Sequence, residues 1–123
     1  MAEVIFTRNA TEAINLVARA WGDANVSVGD EVLITTMEHH SNIVPWQQLC
    51  ARTGATLRVV PIDESGELTA GAFAALLSDR TKVAAFTHVS NALGTVNPVR
   101  QMVAQAKAAG AHVLIDGSQA VAH

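Results

Sequence analysis

Val113-Leu114-Ile115-Asp116-Gly117-Ser118-Gln119 is the stretch on which the fold turns. Three consecutive apolar residues predict a strand buried on both faces. A carboxylate and a glycine follow at once. Such a strand places an anion at the carboxyl edge of a sheet, where open α/β sheets bind ligands. There Asp116 can meet a cationic ring nitrogen, a metal or a ribose hydroxyl. Equally, it can cap a helix after a βα turn.

Upstream, the pattern alternates. Val99 to Ala109 has helical spacing and Gly110 stops it, while Lys82 to Phe86 reads as a strand. Thr69 is placed to cap a helix carrying Phe73, Leu76 and Leu77, and Asp63-Glu64-Ser65-Gly66 is a turn. Leu57 to Val60 and Glu31 to Thr35 are strands, separated by a helix from Ile43 to Arg52 that Gly54 ends. Pro45 is tolerated there only in the first turn. Val4 to Thr7 reads as a short strand. The helix after it starts near Asn9 or Thr11, carries Ile14, Val17, Ala18 and Trp21 at helical spacing, and stops at Gly22. Strands alternating with helices predict an α/β fold of three layers, a mostly parallel sheet with helices on both faces.

Composition narrows the function. The chain has 123 residues, 50% hydrophobic and 15% charged, which suits one compact core and argues against disorder. A net charge of -3 gives no sign of nucleic-acid binding. No apolar run reaches the length of a membrane span, and Met1-Ala2-Glu3 does not open a signal peptide. Cys50 is the single cysteine and is read as a buried structural thiol, so no internal disulfide forms. The expected location is the cytoplasm.

In a parallel sheet every strand-to-helix loop lies on one edge. Those loops carry Asn9 to Glu12, Glu38 to Asn42, Thr87 to Asn91 and Asp116 to Gln119. The opposite edge carries ordinary turn residues such as Asp30, Gly54, Arg80 and Gly110. Hydrogen-bonding side chains gathered on one edge point to a bound ligand. The helix start at Asn9 to Glu12 offers free N–H groups that suit a phosphate. Neither a G-x-G-x-x-G after a strand nor a P-loop is present, which leaves a mononucleotide or a phosphorylated cofactor. His39 and His40 are adjacent and point apart on an extended segment, a poor chelating pair, so no metal is assigned. One of these imidazoles can stack on a flat ring or move a proton.

Four motifs carry a resemblance. Thr11-Glu12-Ala13-Ile14-Asn15, Met37-Glu38-His39-His40-Ser41-Asn42-Ile43-Val44-Pro45-Trp46-Gln47, Thr87-His88-Val89-Ser90-Asn91-Ala92-Leu93-Gly94-Thr95 and Asp116-Gly117-Ser118-Gln119-Ala120 resemble the Suf-type (group II) cysteine desulfurases and selenocysteine lyases. These are class V aminotransferases, fold-type I enzymes of pyridoxal 5'-phosphate. The resemblance implies that Asp116 pairs with the pyridine nitrogen, keeping it protonated so that the ring accepts electrons. It implies that Gln119 and Asn91 bond the phenolic oxygen or its surroundings. His39 matches the histidine stacked on the ring, with a role in proton transfer. Thr11 matches the phosphate-binding threonine, with the Ala10 and Thr11 amides beside it. His40 has no counterpart role and is read as structural. Asn9-Ala10 departs from the Gly-Thr usual in this branch, which removes one phosphate-binding hydroxyl.

The resemblance also implies what this chain lacks. The Schiff-base lysine, the persulfide-forming cysteine and the substrate-binding arginine match no residue here, and Cys50 is not at the catalytic position. Residues 1–123 are therefore expected to be part of the large, cofactor-binding domain, without the lysine or the C-terminal small domain, and inactive alone. The intact enzyme would convert L-cysteine to L-alanine plus an enzyme persulfide, with L-selenocysteine as another substrate. It would supply sulfur for iron-sulfur clusters, work as a homodimer and hand sulfur to an acceptor protein. Two other readings stand beside this one. The first is a different class V reaction, a transaminase, lyase or epimerase. The second is a non-catalytic phosphate- or nucleotide-binding α/β module.

Overall fold

The computed structural model describes residues 4–68, 71–90 and 96–118. Strands β1 (Glu31–Thr35), β2 (Thr56–Val60), β3 (Thr81–Thr87) and β4 (His112–Asp116) form one sheet in the order β2-β1-β3-β4. All three pairings are parallel. The β1–β3 register slips by one residue after Glu31, so that Val32 faces Val83 and Lys82 is the extra residue.

Alternation along the central strands builds two cores. Val32 and Ile34 of β1 and Val83 and Ala85 of β3 turn to one face, where Ile14, Ala18, Trp46 and Leu49 cover them. Leu33, Ala84 and Phe86 turn to the other, under Phe73, Met102 and Ala106. The first face belongs to α1 (Ala10–Leu16) and α3 (Val44–Thr53), the second to α4 (Ala72–Leu76) and α5 (Val99–Ala108). The expected three layers are thus present. Phe73 and Phe86 meet edge to face at 5.5 Å between ring centres.

The sides of the sheet explain where a ligand can enter. From β1 the chain crosses through α3 to β2 on one side, whereas from β3 it crosses through α5 to β4 on the other. Connections that leave neighbouring strands in opposite directions open a crevice at their carboxyl ends. That crevice lies beyond Thr35 and Thr87.

Most predicted elements agree with the observed ones to within a residue or two at the ends. Three expectations are corrected. Val4 to Thr7 is not a strand: it has no ladder partner among the described residues, and Ile5 and Phe6 are 73% and 93% exposed. Gly22 does not stop its helix. After α1 the helix widens into a π-helical segment (Val17–Gly22) and runs on into α2 (Asp23–Asn25). Gly22 is there for packing: a Cβ on it would lie 2.7 Å from Leu49 Cδ2. Finally, β4 is not buried on both faces. It has one neighbour among the described strands, and Ile115 is 42% exposed.

Local signals account for the helix ends. Asn9 caps α1, its side chain accepting from Glu12 N at 2.8 Å. Pro45 falls in the first turn of α3, and Gly54 ends that helix with φ +80°, a conformation suited to glycine. Gly71, with φ +75°, precedes α4; the expected cap Thr69 lies outside the described residues.

Candidate active site

At the carboxyl edge a cleft of about 240 Å³ is lined by Asn9, Ala10, Thr11, His39, Ser41, Thr87, Val89, Asp116 and Ser118. Four of the six expected site residues, Ala10, Thr11, His39 and Asp116, therefore meet in one place. The other two, Asn91 and Gln119, lie outside the described residues.

Each wall has a local cause. The first turn of α1 leaves N–H groups without helical partners. Asn9 takes that of Glu12, while the Ala10 and Thr11 amides and the Thr11 hydroxyl make no hydrogen bond among the described residues. On the second wall His39 precedes a 3-10 turn (His40–Asn42) and caps it. Its Nδ1 accepts from Ser41 N at 3.1 Å and lies 2.9 Å from Ser41 Oγ. A backbone N–H can only donate, so the neutral ring carries its proton on Nε2. His40 is exposed and tilted against His39, with 6.0 Å between ring centres.

On the third wall Asp116 ends β4 opposite Thr87 of β3. Its Oδ1 accepts from Ser118 N at 3.1 Å and from Ser118 Oγ at 2.6 Å, a turn closed by the side chain. Oδ2 makes no hydrogen bond among the described residues. The turn-forming and ligand-binding readings of this carboxylate are thus compatible, one oxygen for each.

Beneath the cleft lies a group to which the sequence reading assigns no role. Glu38 is 6% exposed, directly before His39. Its Oε2 accepts from the Thr35 hydroxyl and from Thr87 N at 3.1 Å. Its Oε1 accepts from Asn42 Nδ2 at 2.7 Å, and Asn42 Oδ1 accepts in turn from Trp46 Nε1 at 2.8 Å. The spacing 38, 42, 46 is the visible clue: three side chains, each four residues on, that pass one hydrogen bond along. On the far side of β3, Asn97 Nδ2 donates to Thr87 O at 2.8 Å, so the strand end is held from both directions.

Burial pushes the Glu38 carboxyl above its ordinary 4.5. Hydrogen bonds from Thr35, Asn42 and Thr87 hold it back, and the charge of Asp116 adds to the rise. The folded chain therefore keeps this proton at pH values where the unfolded chain has lost it. Stability must then fall as pH rises from about 4.5 through the higher folded value. Denaturant melts between pH 4 and 8 should show that fall, and its contribution should be missing from Glu38→Gln. An identical pH slope in both proteins would refute the assignment. Cys50, 8% exposed on the sheet-facing side of α3, has its thiol raised by burial and sits in the core as expected.

The whole of residues 1–123 matches the aminotransferase class-V family. The chain belongs to that family. Over 121 residues, 98% of its length, this class V chain is 57% identical to a cysteine desulfurase of Synechococcus elongatus. It is 54% identical over the same length to a cysteine desulfurase of Cronobacter sakazakii. It spans only 19% and 30% of those two proteins. Its class V fold superposes on the cysteine desulfurase CsdA from Escherichia coli with a TM-score of 0.90 and 31% identity, covering 95% of this chain and 29% of that one. It also superposes on the cystine C–S lyase C-DES in complex with its product cysteine persulfide, with a TM-score of 0.78 and 28% identity, covering 91% of this chain and 30% of that one. C-DES has also been solved with glycine linked covalently to its pyridoxal phosphate. Among the described residues no helix is long and apolar enough to cross a membrane.

Proposed function

We propose that this chain is part of the large domain of a pyridoxal-phosphate-dependent cysteine desulfurase of the Suf type. One observation carries the proposal. First-turn amides and a carboxylate oxygen, each without a hydrogen-bond partner among the described residues, line one cleft with an imidazole at the sheet's crevice. They do so in a chain over half identical to cysteine desulfurases.

The donor set fits the cofactor. The Ala10 and Thr11 amides and the Thr11 hydroxyl are donors for its phosphate. Asp116 Oδ2 is a fixed negative acceptor for a protonated ring nitrogen, and Ser118 holds its partner oxygen in place. His39, with Nδ1 engaged by Ser41, offers its ring and Nε2–H to the cleft. Asn91 and Gln119 are proposed for the phenolic oxygen. When bound, the cofactor supplies an electron sink for the α-carbon of an amino acid. The Schiff-base lysine, the persulfide cysteine and the substrate-binding arginine are assigned to other parts of the enzyme. The same reading makes the intact protein a cytoplasmic homodimer that takes L-cysteine, or L-selenocysteine, and passes sulfur to an acceptor protein.

Titrating the intact protein with pyridoxal phosphate tests this. A visible absorption band and alanine released from L-cysteine are expected. The 123-residue chain alone should release no alanine above free cofactor. An intact protein that binds phosphate or nucleotide but develops no visible band would replace the proposal with a phosphate-binding module.

A further inference from the structure

We infer that Glu38 is a positioning residue of the cleft, whose carboxyl accepts at both oxygens and so fixes the His39 turn against the end of β3 beside Asp116. The inference deepens the proposed function and rests on it for its ligand.

The bonds from Trp46 through Asn42 to Glu38, and from Thr87 to Glu38, have their directions forced from the two ends of the network. Trp46 Nε1–H can only donate. Asn42 must therefore present Oδ1 to the indole and Nδ2 to Glu38, which makes Oε1 an acceptor. At the other end the Thr87 backbone N–H can only donate, which makes Oε2 an acceptor. Trp46 and Asn42 are fully buried, and Glu38 and Thr87 are each 6% exposed, so water offers little relief. A carboxyl satisfies both ends in either charge state. When protonated, it directs its hydrogen to the Thr35 hydroxyl, which can accept as well as donate.

Glutamine cannot do this. Its amide nitrogen would face Asn42 Nδ2 or Thr87 N–H, donor against donor. Turning the Asn42 amide over only moves the conflict to the indole of Trp46. The side chain is nearly isosteric with Glu, so the damage comes from hydrogen-bond polarity rather than from size.

The two ends of the network carry the two sides of the cleft. Asn42 closes the turn that His39 caps, its N–H donating to His39 O at 2.8 Å. Thr87 pairs in register with Asp116, and its Oγ1 lies 3.4 Å from Asp116 O. A shift at Glu38 therefore moves His39 relative to Asp116. Those are the two groups proposed to meet the face and the nitrogen of one ring.

The experiment compares four forms of the intact protein: wild type, Glu38→Gln, Trp46→Phe and the double variant. Thermal melting without cofactor reads the network. Pyridoxal phosphate affinity and the circular dichroism of its visible band read the positioning. Glu38→Gln should weaken affinity at least tenfold and change the band's dichroism. Leu49→Ala, a core substitution away from the cleft, should leave the dichroism unchanged. In the double variant no indole opposes a turned Asn42 amide, so the two losses in Tm should combine to well under their sum. If Glu38→Gln fails to fold, the double variant should fold about as well as Trp46→Phe. Strict additivity, failure of both Gln variants to fold, or unchanged affinity and dichroism in Glu38→Gln would each overturn the inference. A wild-type protein that binds no pyridoxal phosphate would instead sink the proposed function, and the melts would still report on the network.

Discussion

Replacing Asp116 by Asn in the intact enzyme should lower turnover by at least two orders of magnitude while leaving the fold nearly untouched. The substitution preserves shape. Asn retains an Oδ1 that can accept from Ser118 N and Oγ, the bonds that close the turn after β4. The stability cost should stay below ~1 kcal/mol, the scale of a cap lost outright. What disappears is the negative charge beside the cleft. An opposite charge at close range shifts a titrating group by roughly one to three pKa units. On the role proposed for Asp116, the ring nitrogen of the bound cofactor should then lose its proton, and its pull on substrate electrons should weaken. A hundredfold loss is about 2.7 kcal/mol of barrier. The check is turnover and thermal melting of the cofactor-loaded variant. Near-normal turnover at full occupancy would reduce Asp116 to a turn residue and move the cofactor site elsewhere.

Trp46→Ala should cost the most stability of any single substitution near the cleft. Trp46 is fully buried on α3, in the core that also holds Val32, Ile34 and Leu49, with its indole N–H on Asn42. Truncating a buried aromatic costs about 3–5 kcal/mol through lost burial and the cavity left behind. A buried acceptor left without its donor adds about 1–3 kcal/mol. Native proteins are stable by only about 5–15 kcal/mol, so the loss should take a large share of the whole margin. Denaturant melts of the intact protein decide the matter, with Trp46→Phe as the milder comparison. An unfolding free energy within about 1 kcal/mol of wild type, the scale of a single net hydrogen bond, would show that the core closes over the gap. It would also show that Asn42 has another donor.

Much of the cleft's lining is legible in the amino-acid sequence. The polar residues after Glu31–Thr35 and after the Lys82–Phe86 stretch fall on one edge because a parallel sheet puts every such loop there. Asp116 stands out by its place directly after an apolar run. The errors have physical causes. Val4 to Thr7 has the composition of a strand, but composition does not supply a pairing partner. Gly22 looks like a helix terminator until Leu49 is seen packed against it, a contact between residues far apart in sequence. The apolar run Val113 to Ile115 suggests cover on both faces, yet burial depends on neighbours beside the strand as well as on its own side chains. Glu38 is visible in the sequence only as one of a polar cluster. Its bond to Thr87, 49 residues away, follows from the pairing of strand ends and no local pattern announces it.

The strand order also governs how the domain is made on the ribosome. β1 precedes β2 and pairs with it, so α3 can begin to cover β1 once Val60 has been synthesised, while Val83 and Ala85 of the same core are still to come. At that moment Leu33 and Val60 lie on a bare face, because Phe73, Met102 and Ala106, which cover them, are not yet translated. Synthesis at roughly 5–20 residues per second leaves that face open for seconds. β3 must then dock on the opposite side of β1, and β4 after it. The cleft draws one wall from α1 and another from Asp116, so its first and last parts are separated by the synthesis of about a hundred residues. A nascent chain of this protein therefore carries its Leu33 face uncovered until α5 follows, and the cleft has all its walls only when β4 is in place.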